Sequence, residues 1–474
     1  MTLPAKFVER VLRDLGGTEG AALCAALDAE PPVSVRLNPA KTGADTLPAG
    51  PDAGLPVPEA AGLPALAIAG RVPWSRDGRY LAVRPSFTLD PDFHAGAYYV
   101  QEASSQFVGH LLAAVRTEGA RILDLCAAPG GKTTLYASLA GPDGLVVANE
   151  IDRRRASVLA DNVRKWGTGN VAVTTCEPRA LGDFEAWFDV VAVDAPCSGE
   201  GMFRKDPDAR GEWSEGNVKQ CAARQDEILR EVWRALKPGG TLVYSTCTFN
   251  RDEDEGALER MAAWAGDEIA ESEETAVEDA WGIVCGRVGA FRTFRFYPHR
   301  TCGEGFFAAV ARKSFDAGGR VRAPKARRTV FAAVDRKTAG ELARWVRNPG
   351  GMRFAAVADT CYAWYAAQAD AVRTLSEALP VIYSGVALGQ VFKGVLKPDP
   401  ALAFFDGLNR GALPAAELDD EETLRFLRRQ DIAAGGLAEG MNLVCSRGRA
   451  LGFAKRIGAR VNNLYPSSLR IIKQ

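Results

Sequence analysis

The sequence predicts an α/β fold built on a doubly wound, mostly parallel sheet. Three observations carry this reading. From residue 121 onward, short apolar runs alternate with segments of helical period. The apolar runs are continuous rather than alternating, as in strands covered on both faces. A loop of small residues, DLCAAPGGKTT (124–134), joins the first such run to a helix.

The elements follow in order. RILDLC, GLVVANEI, NVAVTTC, FDVVAVDAP and GGTLVYST read as strands. GKTTLYASLAG, DRRRASVLADNVRKW and the VKQCAARQDEILREVWRALK region read as the helices between them. FRTFRFYP (291–298) and GFFAAVARK (305–313) are close enough in sequence for a hairpin, expected at the sheet edge. Before this unit, residues 1–115 hold a helical start (PAKFVERVLRDL), a strand-like SVRLN (34–38) and a Pro-rich middle around 48–64. After it comes AGGRVRAPKARR (317–328), with basic residues at 320, 322, 325, 327 and 328 and no acidic one. That run reads equally as a solvated linker or as a segment that touches RNA. GMNLVCSR, ALGFAKRIG and ARVNNLYPSSLRI then suggest a small β-rich unit. The expected domains are 1–115, 116–314, 315–390 (linker and intermediate domain) and 391–474.

A chain of 474 residues with 47% hydrophobic and 25% charged residues is ordinary for a multidomain globular protein. No apolar run approaches the length a membrane span needs, and the N-terminus lacks a signal-peptide core, so a cytoplasmic protein is expected. The ten cysteines include no CxxC pair, which argues against a zinc ribbon or a dithiol redox site, and no metal is expected. With a net charge of −1, any nucleic acid would have to be held by local basic patches.

Loop 124–134 admits three readings. It lacks the GxGxxG of a dinucleotide site. It contains GKT (131–133), but Cys126 stands where a phosphate-binding loop has its first glycine, so an NTPase is the runner-up. The third reading is an S-adenosylmethionine site. Glu150, at the end of the next strand, is then placed for the ribose hydroxyls, and Glu177, after the third strand, for the adenine edge. Asp194, Cys197 and Cys247 fall at the ends of neighbouring strands, on the rim where such sheets bind ligands. A thiol there suits nucleophilic catalysis: addition at C6 of cytosine activates C5 toward a methyl sulfonium. The residues alone leave open which of the two thiols attacks.

DLCAAPGGKTT, NEID, VDAPCSGEGMFRKDP, KPGGTLVYSTCTF and AYYVQEASS resemble the Nop2/Sun family of RNA cytosine-5 methyltransferases across 95–314. VFKGVLKPDPALAF and GFAKRIGARVNNLYPSSLRI resemble the PUA-like RNA-binding extension of the bacterial branch acting on small-subunit ribosomal RNA. The resemblance implies a seven-stranded methyltransferase sheet, an N-terminal α+β RNA-binding domain and a C-terminal β-rich PUA-like domain. It implies Cys247 as the nucleophile, Cys197 as the thiol that releases the product, and Asp194 on cytosine N3 and N4. Cys126, Ala127, Ala128, Pro129, Gly130, Gly131 and Lys132 would hold the methionine part of S-adenosylmethionine, with Lys132 near Asp194. The family has Asp where Glu177 stands. The partner implied is ribosomal RNA, free or in the 30S particle, met by a monomer. Lys205, in the loop past Cys197, and Lys455, in the tail, are the expected phosphate contacts. Arg456 is a further candidate there. Arg153, Arg154, Arg155, Arg164 and Lys165 on one helix could also meet phosphates, but a solvated helix face is the default reading.

Overall fold

The computed structural model describes residues 2–43 and 63–472. The Pro-rich stretch 48–64 therefore lies outside the described residues, except for Leu63 and Pro64. The central sheet contains β1 (Arg121–Leu125), β2 (Leu145–Asn149), β3 (Val171–Thr174), β4 (Phe188–Asp194) and β5 (Leu236–Thr246). It also contains β6 (Val284–Val288), β7 (Phe291–Phe296), β8 (Phe306–Lys313) and β9 (Val381–Ser384). Their spatial order is β6-β7-β8-β5-β4-β1-β2-β3-β9, and the short strand Ile269–Ala270 also pairs with β8. Strands β1 to β5 run parallel. The chain winds from β1 outward through β2 and β3, then returns to lay β4 on the other side of β1. The crevice between the carboxyl ends of β1 and β4 is thus the switch point at which such sheets bind ligands.

Both faces of this sheet are covered, which explains the unbroken apolar runs. Ile122, Val146, Val190 and Val243 enter one core with Leu159 and Phe107. Their neighbours Leu123, Val147, Val191 and Leu242 enter the opposite core with Leu229 and Val232. The covering helices are α1 (Gly131–Ala140), α2 (Arg153–Trp166), α3 (Glu215–Trp233) and α4 (Glu255–Ala265). Asp152 caps α2 by accepting from the Arg154 and Arg155 backbone N–H groups, and Gly167 ends it in the left-handed region.

Among the described residues the sheet has ten strands, three beyond the seven expected. The seven expected ones form the continuous path β3-β2-β1-β4-β5-β8-β7. VCGRV in β6 gives no strand signal, because Gly and Arg interrupt its apolar residues. Strand β9 comes from a distant part of the chain, within the stretch 315–390 expected as linker and intermediate domain. The 291–313 hairpin forms as expected, but it is internal; β6 is the edge.

The N-terminal part combines helices Ala5–Leu15 and Gly17–Leu27 with a four-stranded sheet that includes Val33–Leu37. A five-stranded sheet follows the central unit, and its last two strands are Val386–Phe392 and Val395–Pro398. A boundary at 390/391 would cut this hairpin in two. The C-terminal four-stranded sheet comprises Ala415–Glu417, Gly440–Ser446, Arg449–Ile457 and Arg460–Asn463. Among the described residues no helix is long and apolar enough to cross a membrane.

Candidate active site

The loop after β1 is shaped by residues that tolerate unusual backbone. Cys126 has φ 62° and Gly130 φ 112°. A side chain at Gly130 would also meet Leu159 Cδ1 at 3.0 Å. Neighbours tie down the loop's carbonyls. Arg155 donates to Ala128 O at 3.1 Å, and Asn162 donates to Pro129 O at 2.9 Å. Arg36, from the N-terminal sheet, donates to Gly131 O at 3.0 Å and to Thr134 Oγ1 at 2.6 Å. Burial drives the Cys126 thiol up to about 12, so it stays protonated and apolar.

Two buried carboxylate oxygens near this loop accept no hydrogen bond. One is Asp124 Oδ1 at the end of β1; the other oxygen of Asp124 accepts from Thr133 Oγ1 at 2.6 Å. Burial, with Asp194 repelling it, raises the Asp124 carboxyl to about 7. The second is Oε2 of Glu150, a residue 3% exposed. Its Oε1 accepts from Asp152 N–H at 3.1 Å, and an Arg155 nitrogen lies 3.3 Å from Oε2 without hydrogen-bond geometry. Idle buried acceptors at the switch point suit the hydroxyl and ammonium donors of a nucleoside-like amino acid. Asn149 locks the ends of β2 and β3 together by accepting from Thr174 Oγ1 and Cys176 N–H. Glu177 follows this junction and is exposed.

On the other side of the crevice, Lys132 Nζ contacts Asp194 Oδ2 at 2.8 Å. Burial opposes the charge on Lys132, but the Asp194 carboxylate outweighs it and holds the ammonium above its ordinary value. Ser245 Oγ donates to Asp194 Oδ1 at 2.7 Å. The Sγ atoms of Cys197 and Cys247 are 3.2 Å apart, and the Cys247 backbone N–H points at Cys197 Sγ at 3.4 Å. The hydrogen bond with Cys247, followed by burial, pushes Cys197 well above the usual thiol range. Cys197 therefore keeps its proton beside Cys247.

Beneath the thiols lies a polar network that the sequence analysis missed. Glu253 Oε2 accepts from Ser198 N–H and from Gln225 Nε2, both at 2.9 Å. Asn250 donates to Glu253 Oε1 at 2.7 Å and to Glu200 Oε1 at 3.1 Å. Glu200 Oε2 accepts from Phe249 N–H, and Gly201 N–H donates to Cys247 O at 2.8 Å. These bonds tie the Cys197 loop to the Cys247 loop. RDEDE (251–255) looks like a solvated charge run, yet Glu253 and Asp254 are fully buried. The readable signal was its place, immediately after TCTFN. Phe7 of the first helix adds a floor, packing edge-on to Phe203 and Trp213.

The structure thus gathers Cys197, Cys247, Asp194 and Lys132 beside the loop Cys126–Gly131, with Glu150 at the end of the adjoining strand. Lys205 is exposed in the loop past Cys197, whereas Lys455 is exposed on the separate C-terminal sheet. Arg456 is spent inside that sheet on the carbonyls of Ala434 and Leu437. The α2 face is not wholly solvated: Lys165 is 9% exposed, with Nζ 3.8 Å above the Phe93 ring. Arg164 stacks on Tyr383 of β9. In the 317–328 run, Arg328 donates to the carbonyls of Ser376 and Leu379, so that residue fastens the chain rather than floating free. Among the described residues no group of three or more His, Cys, Asp or Glu could hold a metal ion.

Comparison with known proteins agrees with this architecture. A family model described as 16S rRNA methyltransferase RsmB/F matches residues 111–312. The N-terminal domain of 16S rRNA methyltransferase RsmF matches 3–103, and the methyltransferase RsmF PUA domain matches 414–471. Ribosomal RNA small subunit methyltransferase F of Shewanella loihica is 32% identical, over 84% of this chain and 83% of its own. The protein of the same name from Escherichia coli is 32% identical, over 84% of each. A methyltransferase homolog from Pyrococcus horikoshii superposes with a TM-score of 0.53 at 27% identity, covering 65% of this chain and 94% of its own. On this match of sequence across all three parts, the chain belongs to the 16S rRNA methyltransferase RsmB/F family.

Proposed function

We propose that this protein transfers a methyl group from S-adenosylmethionine to C5 of a cytosine in 16S ribosomal RNA, through a covalent bond between Cys247 and C6. The observation that carries the reading is the pair of thiols 3.2 Å apart, at the tips of β4 and β5, beside the Lys132–Asp194 pair. When bound, S-adenosylmethionine supplies an electrophilic methyl on a sulfonium.

This chain's residues do the rest. Gly130 and Gly131 open the N-terminus of α1, where with Cys126, Ala127, Ala128, Pro129 and Lys132 they would hold the methionine part. Glu150 Oε2 would accept from a ribose hydroxyl, and Glu177 would take the adenine edge. Asp194, held from both sides by Lys132 and Ser245, hydrogen-bonds the N3–N4 edge of the cytosine. Cys247 Sγ adds to C6, and the electron pair moved to C5 takes the methyl group. Loss of the C5 proton to a base then restores the C5–C6 double bond and expels Sγ. Cys197, protonated beside Cys247, assists this release by returning a proton to the departing sulfur. The cytosine must leave its stack for C6 to be reached, so the target is in a loop or an opened helix. Lys205 and Lys455 contact phosphates, and the N-terminal and PUA domains supply the remaining grip on RNA.

The test is transfer of labelled methyl to unmodified small-subunit RNA and particles by wild type, Cys247→Ala and Cys197→Ala. Cys247→Ala is expected to lose activity, and Cys197→Ala to accumulate a protein–RNA adduct. Full activity in Cys247→Ala would overturn the nucleophile assignment. Label on any atom other than cytosine C5 would overturn the reaction.

A further inference from the structure

The hairpin of Val386–Phe392 and Val395–Pro398 carries chemistry that the methyl-transfer site does not use. Lys393 (φ 50°) and Gly394 (φ 80°) form its two-residue turn, both in the left-handed region that suits a tight hairpin. In the resulting register Phe392 faces Val395 and Gln390 faces Lys397. Side chains alternate across a strand, so these four share one face. The other face packs inward through Val391 and Leu396, which pair with each other.

The outward face is bare. Phe392 is 72% exposed and Val395 66% exposed. Gln390, Lys393 and Lys397 are exposed as well. Lys393 Nζ sits 5.4 Å from the centre of the Phe392 ring. From the neighbouring helix Arg336–Ala343, Lys337 reaches the turn, its Cε 3.2 Å from where a side chain at Gly394 would begin. The segment 386–398 has no acidic residue. The nearby Glu341 is engaged inward, its Oε1 accepting from Leu396 N–H at 3.1 Å. Asp359, in the turn between Met352–Val357 and Thr360–Tyr365, is the acid of the adjoining strand pair.

An exposed ring beside Lys393, on a hairpin that also carries Lys397 and has Lys337 at its turn, fits an unpaired nucleotide: the ring stacks on a base and the lysines meet the flanking phosphates. We infer that this hairpin is a contact surface for single-stranded RNA, with Phe392 as its stacking platform. The surface lies outside the PUA match at 414–471. It rests on the ribosomal RNA reading, and it places RNA contact on the five-stranded sheet as well as on the sheet that follows it.

The experiment is filter binding of the full chain to an unmodified 16S rRNA transcript, without methyl donor, across a salt series. Phe392→Ala is expected to bind about tenfold more weakly, and Phe392→Trp to keep wild-type affinity. Lys393→Ala with Lys397→Ala is expected to flatten the log–log salt slope by roughly 1.4. Because these side chains are exposed, melting temperatures should be unchanged. Phe392→Ala binding within twofold of wild type overturns the inference. So does a loss seen on 30S particles but not on naked rRNA, which would mean a protein partner. A wild-type dimer that Phe392→Ala dissociates would mean a second copy of the chain and also overturns it. The assay needs no chemistry, so a failed cytosine-C5 reading would show in methyl transfer while leaving this result intact.

Discussion

Arg36 of the N-terminal sheet reaches into the methyltransferase unit and donates to the carbonyl oxygen of Gly131, 3.0 Å away, at the first turn of α1. The buried guanidinium also donates to Thr134 Oγ1 and to Gln101 Oε1. Burial lowers it to about 10, still far above neutrality, so a full charge is committed to fixing this loop.

Arg36→Ala should therefore weaken S-adenosylmethionine binding by about tenfold, the worth of one or two charge-assisted bonds. Titration calorimetry reads this directly. Unchanged affinity in a folded variant would show that the loop holds its shape without the N-terminal sheet.

Glu253→Ala should remove both activity and stability. It strands Ser198 N–H and one N–H of Gln225 Nε2, whose other N–H keeps Pro196 O, while Asn250 Nδ2 retains Glu200 and Thr248, at a total cost of about 2 kcal/mol or more. Denaturant unfolding measures the loss. A variant with wild-type stability and turnover would show that the two cysteine loops are not held by this carboxylate.

Gly201→Ala tests the packing behind the nucleophile. The added carbon would meet Gly305 O, and Cys247 O at 2.9 Å; both are backbone atoms that cannot swing aside. Methyl transfer should fall by about 100-fold as the Cys247 loop shifts. Wild-type rates would show that the loop adapts.

Acid should loosen the contact between the N- and C-terminal parts through His94. The imidazole is buried, with Nε2 2.8 Å from Thr88 O and Nδ1 3.3 Å from Tyr465 Oη. Burial lowers it to about 4 from 6.5. The unfolded chain thus binds the extra proton first, and stability present above about 6.5 is lost as pH falls toward 4, by up to about 3 kcal/mol. Asp124, raised to about 7, acts in the opposite sense over part of that range. The measurement is the difference between wild type and His94→Gln, which cancels the Asp124 contribution. Parallel melting curves against pH in the two proteins would count against a neutral buried imidazole.

Much of the fold was legible because local pattern and burial agree. Strands such as β2, buried at every residue, read as apolar runs up to the polar residue at their tip, here Asn149. The residues that meet at the crevice stand at run ends, where period stops and polarity changes. What stayed hidden was set by tertiary context. Lys165 looks like any surface lysine until Phe93 is packed against it. Glu253 and Asp254 look solvated until the Cys197 loop folds over them. Arg36 sits in an unremarkable strand, and its role depends on a partner 95 residues away.

Strand β9 pairs with β3 although the two are separated by the whole remainder of the sheet and more than one further strand pair. During synthesis, the β3 edge therefore stays open after every other strand of the sheet has emerged. It closes only when Val381–Ser384 has left the ribosome. An unpaired edge is the part of a nascent sheet most prone to wrong pairing. The catalytic unit thus finishes folding late, tethered to the later part of its own chain.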